Sequence, residues 1–275
     1  MNKSLIDLKK HFVKILAGLA LAGALVSCGV VAFTGRRQML LFSDSEITSL
    51  SDQSYAEFMS TAQVSNRAAD TKTLTTVGKK MTAALESYLN STGQANVMKD
   101  LKWEFSLVKS NEINAFCLPS GKIVFYEGIL GVANTPDYIA VVMGHEMAHA
   151  IAKHGNERMS QQAAMNMIGG VASEIIGAKT GKTAQALFNV GFNVGSQYGC
   201  LLPYSRKHEY EADRIGLYLM AIAGYDINAA PTFWQKMTEG KQNPNANDFF
   251  STHPSDSKRI EALRNAIKDA EKYKK

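Results

Sequence analysis

The 275-residue sequence predicts an α+β fold that is mainly helical, with a small β-sheet directly ahead of one central helix. Three observations predict it. Apolar residues recur at helical spacing, as at Leu74, Val77, Met81, Leu85 and Leu89. Strand-like alternation is confined to residues 103–127. Just after it, His145-Glu146-Met147-Ala148-His149 lies within a segment, Thr135 to His154, that carries helix signals at both ends.

The chain divides into three parts. Residues 1–27 have the make-up of a targeting segment: a basic stretch ending at Lys14, then an apolar run from Ile15 to Val26, short for a membrane span. The run ends Leu-Val-Ser-Cys28, which resembles the bacterial lipoprotein signal. The resemblance implies cleavage before Cys28, lipidation of that cysteine and, with Gly29 following, attachment to the outer membrane facing the periplasm. An uncleaved signal anchor is the alternative, since apolar character resumes through Val30-Val31-Ala32-Phe33. Residues 28–42 then read as a lipid-anchored tether, and residues 43–275 as one domain.

Within that domain, Ser43 followed by Glu46 matches a capping box and starts a helix to about Gln63. A second helix spans about Asp70 to Asn90 and breaks at Ser91-Thr92-Gly93. Trp103, Phe105 and Leu107 alternate with Glu104 and Ser106, the period of a half-buried strand. Ile113–Leu118 and Lys122–Glu127 read as two more strands. Thr135 caps the central helix, Pro136 occupies its first position and Gly155 closes it. Helices are expected near 157–176 and 183–198; this hairpin either packs plainly or covers a cleft. Ser205 caps a further helix to about Ala223 before Gly224, and a last helix covers about 255–273.

Composition narrows the function. At 45% hydrophobic residues the chain can bury a sizeable core. The net charge of +5 falls to +2 once residues 1–27, with their four lysines and Asp7, are set aside, and no basic stripe is interleaved with aromatics, so nucleic acid is not expected as a partner. In an oxidising compartment Cys117 and Cys200 are permitted to form a disulfide; two buried thiols are the alternative.

The chemistry lies in the central helix. Two histidines four residues apart share one helical face, so His145 and His149 can reach a single metal ion. Glu146 between them is placed to act on a water activated by that ion. Sixty residues downstream, Glu209 and Asp213 also share a helical face. Glu209 can complete a two-histidine, one-glutamate zinc site with its fourth position open. Asp213 can accept a hydrogen bond from a liganding imidazole. Glu211 points to another face and reads as a surface ion pair with Lys207.

Together, His-Glu-Met-Ala-His, the stretch Ser205 to Gly216, Asn114 to Ile123 and Ser251-Thr252-His253-Pro254 resemble the gluzincin zinc metallopeptidases of the CAAX prenyl protease/HtpX-like family. Among these, the lipid-anchored periplasmic BepA/LoiP-like members are nearest. The resemblance implies a zincin-like metallopeptidase domain with one Zn²⁺ per chain on His145, His149 and Glu209, Glu146 as general base and Asp213 behind the ligands. It implies an endopeptidase for misfolded or misassembled envelope proteins. Asn114, Ala115 and Phe116 would form the strand that pairs with substrate. Arg206 and His253 are the candidates for stabilising the oxyanion, and His253 could instead reach the metal and close the site. His154 and His208 read as bystanders. The alternative function is a chaperone-like binding factor for outer-membrane protein assembly, with an assembly-machinery partner and suppressed proteolysis.

Overall fold

The computed structural model describes residues 28–168, 205–239, 253 and 257–274. The expected targeting segment, most of the 157–198 hairpin and Cys200 lie outside the described residues. The order of elements follows the expected one: helix α1 (Asp44–Thr61), α2 (Ala68–Ser91), three short strands, the central helix α3 (Pro136–Ile151), α4 (His154–Ile168), α5 (Arg206–Ala223), α6 (Ala229–Glu239) and α7 (Ser257–Ala270). Ser43 and Glu46 form the capping box of α1, each side chain bonding the other's backbone N–H. The Thr135 hydroxyl accepts from the Tyr138 N–H ahead of Pro136 at the start of α3. Gly224 ends α5 in the left-handed conformation at φ 70°, where a Cβ would be strained. The chain is mainly helical, with small sheets.

The strands β3 (Glu104–Val108), β4 (Ala115–Cys117) and β5 (Lys122–Tyr126) form one sheet in the order β3-β5-β4, with β3 parallel and β4 antiparallel to β5. Alternation sorts their side chains. Ala115, Cys117, Ile123 and Phe125 face the main core with the α2 stripe and α3. Phe116, Leu118 and Val124 face a second cluster with Ile47, Leu50 and Tyr55 of α1. The polar face of β3 is covered as well: the Tyr55 hydroxyl lies 2.7 Å from both Glu104 Oε1 and Ser106 Oγ.

Residues 28–42, expected as a lipid-anchored tether, are packed onto the domain. Strands β1 (Cys28–Val30) and β2 (Arg37–Met39) pair antiparallel around a tight turn. Val31 is buried, and Phe33 packs against Tyr88, Tyr218 and Tyr273. Burial of those two apolar groups outweighs what tethering would leave in water.

The central helix is buried on every side from Ile139 to Ile151, as expected of a helix apolar all round. It differs from expectation at its end. It stops at Ile151, Lys153 takes a left-handed φ of 54°, and a new helix begins at His154, so Gly155 lies inside α4. The Lys153 ammonium donates to both oxygens of Asp44, at 2.8 and 2.6 Å, holding the bend.

Helices α3 and α5 are the most heavily packed helix pair among the described residues. They meet at Gly144 and Gly216. A Cβ at 144 would lie 3.0 Å from the Gly216 carbonyl oxygen, and one at 216 would lie 3.1 Å from the His145 nitrogen. Gly216→Val should therefore destabilise the protein by about 1–3 kcal/mol through overpacking. Chemical denaturation measures it, with Gly131→Ala as control because its Cβ meets nothing within 4 Å. A Gly216→Val midpoint equal to wild type would show that the helices can separate without loss.

Candidate metal centre

Close approach of α3 to α5 brings the two halves of the site together. His145, His149, Glu209 and His253 present ligand atoms all within 4.8 Å of one another, and all four are buried. The Nε2 atoms of His145 and His149 are 3.1 Å apart. Each lies 3.4 Å from an oxygen of Glu209. His253 Nδ1 is 3.2 Å from His145 Nε2 and 3.2 Å from Glu209 Oε1. Four donors about 2.05 Å from a tetrahedral zinc stand about 3.3 Å apart. The separations are close to that spacing, and the two-histidine, one-glutamate set with His253 beside it is of the nitrogen and carboxylate kind that fits Zn²⁺.

Around the donors, His145 Nδ1 lies 2.9 Å from Asp213 Oδ1. Arg259 of α7 binds both carboxylates: Nη2 donates to Asp213 Oδ1 at 2.8 Å, and Nη1 is 2.9 Å from Glu209 Oε2. Its guanidinium sits 3.9 Å over the Trp234 ring. Burial raises both carboxylates towards the neutral form. The charges of His253, Arg259 and His145 overcome this at Glu209, and Arg259 overcomes it at Asp213, so both remain below the ordinary carboxylate range. His149 is held well below its ordinary value by burial. His145 is raised, because the Glu209 charge and the Asp213 hydrogen bond outweigh burial.

Glu146 behaves oppositely. Burial pushes its pKa up to about 7, although the charge of His253 and the Cys117 backbone N–H favour the anion. Its Oε1 has no hydrogen-bond partner among the described residues and lies 3.5 Å from His253 Nε2. A carboxylate balanced near neutrality can take up and release a proton.

The structure therefore brings together His145, Glu146, His149, Glu209, Asp213 and His253. Asn114, Ala115 and Phe116 lie on or beside β4, at the sheet edge next to α3, and are buried. Arg206 is not in the site. It is exposed in the first turn of α5, and the buried guanidinium is that of Arg259. Cys117 is a free buried thiol in the structure, and its possible partner Cys200 lies outside the described residues; burial, then the Glu146 charge, raises the Cys117 pKa well above the ordinary value.

His154, His208 and Glu211 also depart from expectation. Glu211 is no surface partner of Lys207. It accepts from Thr34 Oγ1 at 2.5 Å and from Arg36 Nε at 2.7 Å, and lies 3.0 Å from His154 Nε2. Arg36 also donates to both oxygens of Glu157, and His208 Nε2 is 3.1 Å from Glu157 Oε2. Sequence reasoning missed Arg36 and Arg259. The apolar run Val30 to Phe33 ahead of Arg36 was the one signal that this segment is packed.

These features define a zincin-type metal centre, and comparison with known proteins agrees. The model of peptidase family M48 matches residues 79–267, and the chain belongs to that family. The mitochondrial metalloendopeptidase OMA1 of Schizosaccharomyces pombe is 39% identical over 63% of this chain and 49% of its own length. Metalloendopeptidase OMA1, mitochondrial, of Bos taurus is 30% identical over 98% of this chain and 52% of its own. The beta-barrel assembly-enhancing protease of Escherichia coli is 28% identical over 66% and 38%. The chain spans about half or less of the length of these curated relatives. The expected location at the bacterial outer membrane is corrected by these matches, because the OMA1 relatives are mitochondrial proteins. A short apolar run and a four-residue lipoprotein-like match carry less information than an alignment over nearly the whole chain. No helix of the described residues is long and apolar enough to cross a membrane.

The Arg36 cluster makes a prediction about acid stability. Burial opposes ionisation of Glu157 and Glu211, but His208 and Arg36 bonds at the first, and His154, Thr34 and Arg36 bonds at the second, bring both to about 2 from an ordinary 4.5. Depressed carboxylates stabilise the fold above their unfolded value, and that stability is lost as pH falls through the folded one. The thermal midpoint should fall between pH 4.5 and 2. Arg36→Met should cost about 3 kcal/mol at neutral pH by removing the cation shared by two buried carboxylates, and should flatten that acid dependence. Thermal scans across the range test both; an unchanged acid profile in Arg36→Met would exclude the pairing as its source.

Proposed function

We propose that the protein is a zinc-dependent endopeptidase in which Glu146 is the general base. The observation that carries this reading is a buried carboxylate, pushed up to about 7, beside a cluster of four buried metal donors. Bound zinc supplies Lewis acidity, lowering the pKa of a water and polarising the scissile carbonyl. Glu146 takes the proton at the oxygen facing the donors and delivers it to the leaving amine. The Cys117 backbone N–H fixes the carboxylate against β4. His145, His149 and Glu209 hold the ion, while Asp213 and Arg259 orient His145 and Glu209.

Substrate would be an extended segment of a misfolded or misassembled protein, laid beside Asn114, Ala115 and Phe116 and held through its backbone with little demand on sequence. In the present geometry His253 Nδ1 stands among the donors, 3.2 Å from His145 Nε2 and from Glu209 Oε1, where it would compete with a water for the ion. This favours the reading in which His253 holds the site shut until substrate displaces it. A binding factor with suppressed proteolysis is less well supported, because it requires no carboxylate tuned to neutrality at position 146.

Glu146→Gln should reduce peptide cleavage by about 10²–10⁴-fold while the protein keeps one zinc per chain and its melting temperature. A chelator should abolish wild-type cleavage, and added zinc should restore it. His253→Ala should raise basal cleavage of an unfolded protein such as casein. Undiminished cleavage by Glu146→Gln would remove the general-base reading, and reduced cleavage by His253→Ala would make His253 a participant rather than a latch.

A further inference from the structure

Each liganding histidine needs its second ring nitrogen held, and the two are held differently. His145 Nδ1 meets a carboxylate, Asp213, which Arg259 binds. His149 Nδ1 meets another imidazole: His154 Nδ1 is 3.0 Å away. We propose that the N-terminal turn is a positioning element of the metal centre, acting on His149 through Glu211 and His154. This rests on the metal-site reading above.

The protons on this chain are fixed from both ends. At one end, the Glu211 carboxylate is in a purely accepting role, engaged by Thr34 Oγ1 and Arg36 Nε, so the proton between it and His154 sits on His154 Nε2. At the other end, His149 Nε2 faces the donor set and must offer its lone pair to a metal. With Nε2 of His154 protonated, its Nδ1 is the accepting nitrogen, so His149 carries its proton on Nδ1 and donates it there. Every bond in the series then has one donor and one acceptor, and the sequence Thr34 and Arg36, Glu211, His154, His149 sets the tautomer and orientation of a zinc ligand.

The surroundings hold this chain rigidly. His154 is fully buried and its ring stacks on that of His208 at 4.4 Å. His208 in turn reaches Glu157, the second carboxylate held by Arg36. The left-handed Lys153 bend swings His154 back towards α3, where an unbroken helix would carry it away. The two ligands are thus backed symmetrically, each by a carboxylate from α5 fixed by an arginine from outside it, with one imidazole interposed on the His149 side.

The test compares the full chain with His154→Leu, His154→Asn, Glu211→Gln and Thr34→Val. Zinc affinity is read by competition with a chromophoric chelator, and ligand geometry by the visible absorption of the Co²⁺-substituted protein. His154→Leu should weaken zinc binding about 10–100-fold and alter the Co²⁺ spectrum. His154→Asn should recover most of both, since its amide oxygen can accept at the place of Nδ1. Glu211→Gln and Thr34→Val, at the far end, should give smaller changes in the same direction; they decide the matter if His154→Leu does not fold. Folded variants with wild-type affinity and a wild-type Co²⁺ spectrum would overturn the proposal while leaving the metal centre intact. A wild-type chain that binds neither ion would instead overturn the metal-site reading, and the proposal with it.

Discussion

The structure depends on one backbone contact, where Gly144 and Gly216 let α3 and α5 touch without side chains between them. Gly144 immediately precedes His145, and Gly216 lies one turn beyond Asp213. The contact thus sets the distance between the helix that carries His145, Glu146 and His149 and the helix that carries Glu209 and Asp213. Donor separations of 3.4 Å across the two helices need main chains at this range. A Cβ at either position would push outward on the two residue sets that must converge. Packing and coordination geometry are here the same constraint.

Bringing the helices so close buries many charges, and the fold answers with two arginines from outside the pair. Arg259 spans Glu209 and Asp213; Arg36 spans Glu157 and Glu211. Buried ions without partners cost several kcal/mol each, so neither cluster is tolerable in halves. This explains why both ends of the described chain fold back onto the centre. Phe33 of the N-terminal turn and Tyr273 at the C-terminal end pack on each other and on Tyr88 and Tyr218. The aromatic cluster anchors the two segments that deliver the guanidinium groups.

Local chemistry was legible in the sequence, and tertiary chemistry was not. Ser43, Thr135, Ser205 and Gly224 mark helix ends by their own hydrogen bonding or backbone freedom, and they lie at those ends. His145, His149, Glu209 and Asp213 were legible because helical spacing alone puts each pair on one face. His154 was misplaced because an unbroken helix turns it away; a left-handed lysine carries no signal, as that conformation ordinarily favours Gly, Asn or Asp. Arg259 lies among Lys258, Arg264 and Lys268 on an amphipathic helix, and only its contacts distinguish it. Arg36 sits beside three-residue strands too short to show periodicity.

The two glutamates of the centre show how such contacts assign roles. Glu146 and Glu209 are both fully buried within one small volume, and burial alone would raise both. Glu209 receives three imidazoles, His253 the nearest at 3.2 Å, and the Arg259 guanidinium at 2.9 Å, and stays well below the ordinary carboxylate range. Glu146 receives a backbone N–H and the more distant His253, and rises to about 7. Carboxylates pushed apart in this way take different tasks. The one held ionised can remain a ligand through a reaction, while the one left near neutrality can exchange a proton. His253, Arg259 and the other imidazoles gathered at Glu209, set against a backbone N–H and one more distant imidazole at Glu146, hold the two carboxylates apart.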